Sequence, residues 1–252
     1  MKTIVLITGA TSGIGEASAH LFAQNGFAVV ITGRREDRLN KLSNSLKEKY
    51  GADVLSLCFD VRNQAEVESN LKSLHGDWRD ISILVNNAGL AAGKDPIQHG
   101  VRNNWERMID TNVKGLLYVT EQIVPGMIAK QNGHIINVGS IAGKEAYPGG
   151  NVYCATKFAV DALTQGMRQD LLKHNIRVSQ VCPGMVQTEF SLVRFDGNQA
   201  ASDAAYAGFE PLKAEDIADA IYYMASRPAH VCINDMVIMP TAQANSVMVN
   251  KA

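Results

Sequence analysis

Thr8-Gly9-Ala10-Thr11-Ser12-Gly13-Ile14-Gly15 follows directly on the apolar run Ile4-Val5-Leu6-Ile7 and opens into an amphipathic stretch that ends near Asn25. A β-branched run of that kind predicts a buried strand, and the apolar recurrence at three and four behind it predicts a helix. The glycines between them allow a sharp turn that brings the backbone close to a pyrophosphate, whose charge is favoured by the free N–H groups and dipole of the helix start. Gly9, Thr11, Ser12, Gly13, Ile14 and Gly15 are therefore candidate dinucleotide contacts. A glycine cluster alone is a common turn; its place between strand and helix gives it meaning.

The same alternation continues outward from this unit. Strands are predicted at 3–8, 28–32, 54–58, 83–86, 133–138, 177–182 and about 235–239, with helices at 13–25, 35–50, 64–74, 101–130, 152–174 and 214–226. Strands separated by amphipathic helices imply a parallel sheet covered on both faces, so the expectation is a single α/β domain over residues 1–252, a doubly wound seven-stranded Rossmann fold. The stretch 186–211, polar and rich in Gly, Ala, Asp and Asn, has the weakest pattern, and a long irregular insert in a compact domain predicts a lid over the site.

Composition narrows the function. The 252 residues are 46% hydrophobic and 19% charged, which excludes a disordered chain, and 24 Lys and Arg against 25 Asp and Glu leave a net charge of -1, with none of the basic excess of a nucleic-acid binder. The apolar start is too short for a signal peptide and no segment has the length of a membrane span, so a cytoplasmic protein without a membrane partner is expected. Cys58, Cys154, Cys182 and Cys232 form no CxxC and have no His at ligand spacing, so they read as buried thiols and no metal is expected.

At the tip of the second strand stands Thr32-Gly33-Arg34-Arg35. An acidic residue there would bind the ribose 2′-hydroxyl of NAD; two guanidiniums instead suit a 2′-phosphate, so the cofactor expected is NADP. As solvated charges at a helix start, Arg34 and Arg35 would run against the dipole.

Four further segments complete the pattern. Asn86-Asn87-Ala88-Gly89 follows the fourth strand, Asn112 lies in the long fourth helix, Ser140 follows the fifth strand, and Tyr153-Cys154-Ala155-Thr156-Lys157 is a YxxxK segment. Tyr153 and Lys157 are one helical turn apart, and an ammonium beside a phenol lowers its pKa from ~10 toward working pH. Tyr153 can then act as general acid in carbonyl reduction and as general base in alcohol oxidation, with Ser140 hydrogen-bonding the substrate oxygen.

With the glycine-rich loop, these ordered motifs resemble the short-chain dehydrogenase/reductase family over essentially the full chain. That resemblance implies that Lys157 also holds the nicotinamide ribose and that Asn112, through a water, links Lys157 to solvent. It implies an adenine contact from Asp60 and Val61, a cofactor contact from Asn87, and contacts near the nicotinamide from Pro183, Gly184, Val186 and Thr188. A homotetramer is likewise implied by the family.

The segment from Pro183 to Phe195, with Gly149-Gly150-Asn151-Val152-Tyr153 and Arg227-Pro228-Ala229-His230-Val231, is similar to the NADP-dependent 3-hydroxy acid dehydrogenases, a subgroup acting on serine, allo-threonine and 3-hydroxypropionate or malonic semialdehyde. A carboxylate substrate wants a cation, and Arg194 in the lid is the candidate clamp; the bland alternative is an ion pair of Arg194 with Asp196 or Glu189. Other readings of the chain are a 3-oxoacyl carrier-protein reductase, a general carbonyl reductase, or a regulatory protein that senses NADP(H) without turnover.

Overall fold

The computed structural model describes residues 2–251. Its strands are β1 (Ile4–Ile7), β2 (Ala28–Gly33), β3 (Val54–Cys58), β4 (Ile81–Asn86), β5 (Gly133–Val138), β6 (Ile176–Pro183) and β7 (Asp235–Ile238). They form one parallel sheet in the order β3-β2-β1-β4-β5-β6-β7. The helices are α1 (Gly13–Gln24), α2 (Glu36–Tyr50), α3 (Gln64–Lys72), α4 (Arg102–Ile109), α5 (Gly115–Lys130), α6 (Asn151–Leu171), α7 (Glu189–Arg194), α8 (Gln199–Tyr206) and α9 (Ala214–Ala225). Every expected strand is present, so the chain is a single-domain α/β protein of the Rossmann type.

β1 sits inside the sheet, between β2 and β4, because it has no polar face to turn outward. Val5 and Ile7 enter a core with Phe22 of α1, Leu39 of α2 and Ile217 and Ile221 of α9. Ile4 and Leu6 enter the opposite core with Val67 of α3 and Val119, Ile123 and Met127 of α5. Helices on both faces are what a parallel sheet of this composition requires. The strand order reverses between β1 and β4, and at such a reversal the connections leave in opposite directions and open a crevice beyond the carboxyl ends of the strands.

Two expectations about local structure are corrected. The helix expected over 101–130 is interrupted by one wide π-helical turn at Asp110–Lys114, which holds Asn112 between α4 and α5. The segment 186–211 is not irregular, since α7 and α8 occupy much of it. Thr188 Oγ1 caps α7 by accepting from the Phe190 N–H, and Asn198 Oδ1 caps α8 by accepting from Ala201. The Tyr206 hydroxyl then donates to the Val186 carbonyl at 2.8 Å and lies 2.7 Å from Ser191 Oγ, pinning α8 to α7. Helices this short carry too little periodicity to be read, and caps with one buried tyrosine hold them instead.

The expectation of buried thiols also holds only in part. Cys154 and Cys182 are buried, but Cys58 and Cys232 are exposed, and all four are free. Cys58 ends β3, an edge strand, and Cys232 lies in the loop before β7, the other edge. Among the described residues no helix is long and apolar enough to cross a membrane.

A buried polar relay fixes the strand ends against the two site-bearing helices. Asn86 Nδ2 on β4 donates to Asn137 Oδ1 on β5 and to Thr120 Oγ1 on α5, both at 3.0 Å, while Asn137 Nδ2 donates to Thr164 Oγ1 on α6 at 2.9 Å. Asn137 is fully buried. Asn137→Ala strands partners on β4 and α6 in the interior, so urea unfolding of this variant is expected to show a loss of about 2–4 kcal/mol; a loss within error would mean that the relay carries no share of the stability.

Candidate functional site

The crevice at the strand reversal holds a cavity of about 300 Å³. It runs from Gly33, Arg34 and Arg35 at the end of β2, past the glycine-rich loop, to Ser140, Tyr153, Lys157 and the 183–190 segment. Gly9 and Gly13 adopt φ of 66° and 56°, a conformation that other residues rarely take. Gly15 serves packing rather than the cavity: a Cβ there would fall 2.5 Å from both the Gly9 carbonyl and Asn87 Nδ2. Ser12 is the N-cap of α1 yet makes no side-chain cap bond, because its hydroxyl accepts from Arg35 Nη2 at 2.9 Å. The helix therefore presents uncapped N–H groups to the cavity, and that suits an anionic diphosphate. These residues fit a dinucleotide.

At the β2 end the two arginines differ. Arg35 is committed to the loop, donating from Nε and Nη2 to Thr11 Oγ1 at 3.2 and 2.8 Å, and from Nη1 to Glu189 at 3.0 Å. Arg34 is the more open, with its side chain 58% exposed and Asp60 3.7 Å away. Asp60 accepts from Arg62 Nη2 at 2.6 Å, and hydrogen bonds from Arg62 outweigh burial to hold its carboxyl below the usual range. Both Asp60 and Val61 line the cavity. Asn87 Nδ2 donates to the Thr8 carbonyl at 2.8 Å, which ties the end of β4 to the start of the loop.

At the other end α6 carries Tyr153 and Lys157 inward, both buried. Lys157 Nζ donates to the Val138 carbonyl at the tip of β5 at 2.9 Å, and burial lowers its pKa to about 8. The expected lowering of the tyrosine is reversed. Burial pushes the Tyr153 phenol up, with Tyr147 adding to the rise while Ser140 and Arg194 oppose it. The ammonium lies 5.9 Å from the Tyr153 ring centroid, too far to offset the loss of water around the phenol. Ser140 begins a short 3₁₀ turn, its Oγ accepting from the Ala142 N–H at 3.1 Å.

Asn112 is placed beside Lys157 but not bonded to it. Its Oδ1 accepts from Leu90 N–H at 2.8 Å, and its Nδ2 donates to the Leu90 carbonyl at 2.9 Å and to Thr156 Oγ1 at 3.0 Å. The amide thus ties the chain after Gly89 to α6. A Cβ on Gly89 would lie 3.3 Å from Asn112 Oδ1 and 3.6 Å from Lys157 Nζ, so the two side chains flank that glycine.

Arg194 pairs with neither Asp196 nor Glu189. Its Nε donates to the Gly93 carbonyl at 3.1 Å and its Nη1 to the Tyr147 hydroxyl at 3.0 Å. The guanidinium carbon stands 5.6 Å from the Tyr147 ring centroid and 5.9 Å from that of Tyr153. Nη2 is buried without a hydrogen-bond partner.

The cavity therefore collects the expected cofactor residues of the loop, of β2, of the 60–61 and 87 positions and of the 183–188 turn, together with Ser140, Tyr153 and Lys157. Gly15, Asn112 and Arg194 lie behind its wall. Phe59, Glu189, Phe190 and Val193 also line it and were not expected there, and Tyr147 joins through Arg194. The sequence reads Glu189 only as a partner of Arg194, and its place at Arg35 and Arg38 had no legible signal; nor had the apolar residues.

The family model described as short chain dehydrogenase matches residues 3–198. The chain is 47% identical over 242 residues to the NADP-dependent 3-hydroxy acid dehydrogenase YdfG of Salmonella typhi, covering 96% of each. It is 47% identical over 245 residues to sulfoacetaldehyde reductase 2 of Chromohalobacter salexigens, covering 97% of this chain and 96% of that protein. The closed form of serine dehydrogenase complexed with NADP+ superposes with a TM-score of 0.92 at 44% identity, covering 97% of both chains.

Lys157 offers a test of the site's burial that needs no ligand. Its folded pKa of about 8 lies below the ordinary 10.5, so the folded protein disfavours the charged form and the unfolded chain binds the extra proton between those values. Stability relative to Lys157→Met is then expected to be level below pH 8 and to rise by up to about 3 kcal/mol toward pH 10.5. Urea unfolding across that window checks it; a flat difference would mean that the ammonium is solvated.

Proposed function

The chain belongs to the short-chain dehydrogenase family of oxidoreductases, and from that membership we propose that it moves a hydride between NADP(H) and the 3-hydroxyl or 3-oxo group of short 3-hydroxy acids. Arg34, Arg35 and the hydroxyls of Thr11 and Ser12 form the seat for the 2′-phosphate, and the uncapped start of α1 takes the diphosphate. Asp60 and Val61 border the adenine, and Asn87, Pro183, Gly184, Val186 and Thr188 border the rest. Bound there, the cofactor supplies the hydride in reduction and accepts it in oxidation.

The chain's own residues handle the oxygen and its proton. Ser140 Oγ donates to the substrate oxygen and holds it toward Tyr153. Tyr153 delivers its phenolic proton to that oxygen as the carbonyl becomes an alcohol, and removes it in the reverse direction. Lys157 steadies the phenolate left behind and holds the nicotinamide ribose. Asn112 keeps the Leu90 main chain and α6 together beside Lys157, where a water can return the proton from solvent. The segment 186–211 covers the substrate.

One observation carries the substrate class: the buried, unpartnered Nη2 of Arg194 beside the Tyr153 ring. A guanidinium N–H left unbonded in the interior is costly, and an anionic head group whose reacting carbon faces Tyr153 satisfies it once the cavity wall in front of Arg194 gives way to it. A carboxylate is the reading favoured by the relatives named 3-hydroxy acid and serine dehydrogenase. The same donor fits a sulfonate, the head group of the substrate named for the Chromohalobacter salexigens relative. A neutral ketone or an acyl chain leaves the donor unmet. The homotetramer of the family is proposed for this chain as well, and sedimentation of the purified protein tests it.

Absorbance of the reduced cofactor, followed with serine, allo-threonine, 3-hydroxypropionate, 2-hydroxyethanesulfonate and a neutral secondary alcohol, each with NADP and NAD, is the deciding assay. NADP with the 3-hydroxy acids is expected to be fastest. Arg194→Ala is expected to cut kcat/KM on the acids by about 100-fold, roughly 2.7 kcal/mol, while sparing the neutral alcohol. An equal loss on both would remove the anion-binding role.

Tyr153→Phe is expected to lower turnover at least 100-fold with NADPH binding retained, as for loss of a general acid. Because burial holds the phenol above its usual value, the wild-type oxidation rate is expected to climb through the alkaline range, with reduction best near neutrality. Native turnover by the phenylalanine variant would show that another group carries the proton.

A further inference from the structure

The start of α7 is tied across the crevice by charge. Glu189, the first residue of that helix, accepts from Arg35 Nη1 at 3.0 Å and from Arg38 Nη1 at 2.7 and 2.9 Å. Burial raises its pKa, but the hydrogen bonds from Arg38 and Arg35 outweigh it and keep the carboxyl below the usual range, so it is an anion at neutral pH. The other edge of Arg35 is spent on the loop through Thr11 and Ser12. A guanidinium has five N–H donors in a fixed fork, and here the Nε and Nη2 donors face the loop while Nη1 faces Glu189. Any second anion that reaches Arg35 from the cavity meets the Glu189 carboxylate, which lines that cavity too.

We propose that Glu189 competes with the cofactor's 2′-phosphate for Arg35 and thereby sets how strongly the site prefers NADP(H) over NAD(H). The proposal rests on the NADP(H) reading above. A phosphate takes Arg35 Nη1, and Glu189 stays on Arg38, to which it already makes its two shorter bonds. A 2′-hydroxyl, without charge, leaves the Arg35–Glu189 pair as it is. Arg34, whose carboxylate neighbour Asp60 stands 3.7 Å away, attracts the phosphate without such an exchange. Discrimination therefore depends on a carboxylate of α7 as well as on the arginines of the β2 tip.

Dissociation constants of NADPH and NADH, measured by fluorescence titration of the full chain at low salt, test this with variants of opposite sign. Glu189→Gln removes the rival charge and is expected to tighten NADPH about two- to five-fold with NADH unchanged, the modest size set by half-exposed ion pairs. Arg38→Met leaves Glu189 with Arg35 alone and is expected to weaken NADPH by a similar factor, again without effect on NADH. Both differences are expected to shrink as salt is raised. Glu189→Asp, which keeps the charge, is expected to keep the discrimination of the wild type. NADPH binding by Glu189→Gln that is unchanged, weaker, or shifted equally with NADH would overturn the proposal, as would Arg38→Met tightening NADPH. Wild-type protein that binds neither cofactor would instead overturn the parent reading, whereas wild-type binding of NADPH without these selective shifts would overturn this proposal alone.

Discussion

An ammonium held indoors on the carbonyl of Val138 is the interaction around which the rest of the site is arranged. Lys157 reaches from α6 to the tip of β5, and the Asn137–Thr164 bond ties the same helix to the same strand further along. Gly143 allows the close approach this needs, for a Cβ there would fall 2.6 Å from the Lys157 carbonyl. With α6 fixed in this way, Tyr153 can only face the crevice, where Phe190 packs edge-on against its ring at 5.7 Å. Burying the lysine costs stability and lowers its pKa, and burying the phenol raises that of the tyrosine. The same removal of water drives the two groups apart in proton affinity, the reverse of what the simple attraction suggested by their spacing would do.

That difference marks the boundary of what the sequence could tell. Elements with strong patterns were legible nearly to the residue: β3 and β5 fall where the apolar runs place them, and the loop between β1 and α1 has the conformation its glycines demand. Residues whose role is chemical and local were legible by type and order, as with Ser140, Tyr153 and Lys157, which meet in one cavity. What stayed hidden depends on contacts between segments far apart in the chain. The partner of Arg194 is Tyr147, on the far side of the Tyr153 turn, and no spacing rule relates them. The same holds for Glu189 and Arg38, and for the amide of Asn112, which spends its bonds on Leu90 and Thr156. The wide turn around Asn112 was hidden for another reason, because one extra residue in a helical turn barely alters a pattern of period 3.6.

A chain with a net charge of -1 has to hold the anionic NADP(H) without an overall excess of positive charge. It does so by spacing a few cations along the crevice, a pair at one end and the others singly. Arg34 and Arg35 stand at one end of the crevice, Lys157 at the middle and Arg194 at the other. Most of them are already engaged, with Asp60, Glu189, the Val138 carbonyl or Tyr147. Engaged cations are oriented before a ligand arrives, so less conformational entropy is lost on binding, and an anion has to improve on the bond it displaces. Selectivity then follows from what each cation already holds rather than from the amount of positive charge.

α7 joins the two ends of this arrangement. Glu189 opens the helix at the arginines of the β2 tip and Arg194 closes it at the tyrosine, five residues on, a span of about 7.5 Å along a helix axis. Thr188, just before the helix, lies against the loop so closely that a Cβ on Gly13 would stand 3.2 Å from it. A helix so short has little stability of its own and is held by its cap and by what its two ends touch. What holds Glu189 therefore also bears on Arg194, and the carboxylate at the arginines of the β2 tip and the guanidinium beside Tyr153 are the two ends of one short helix.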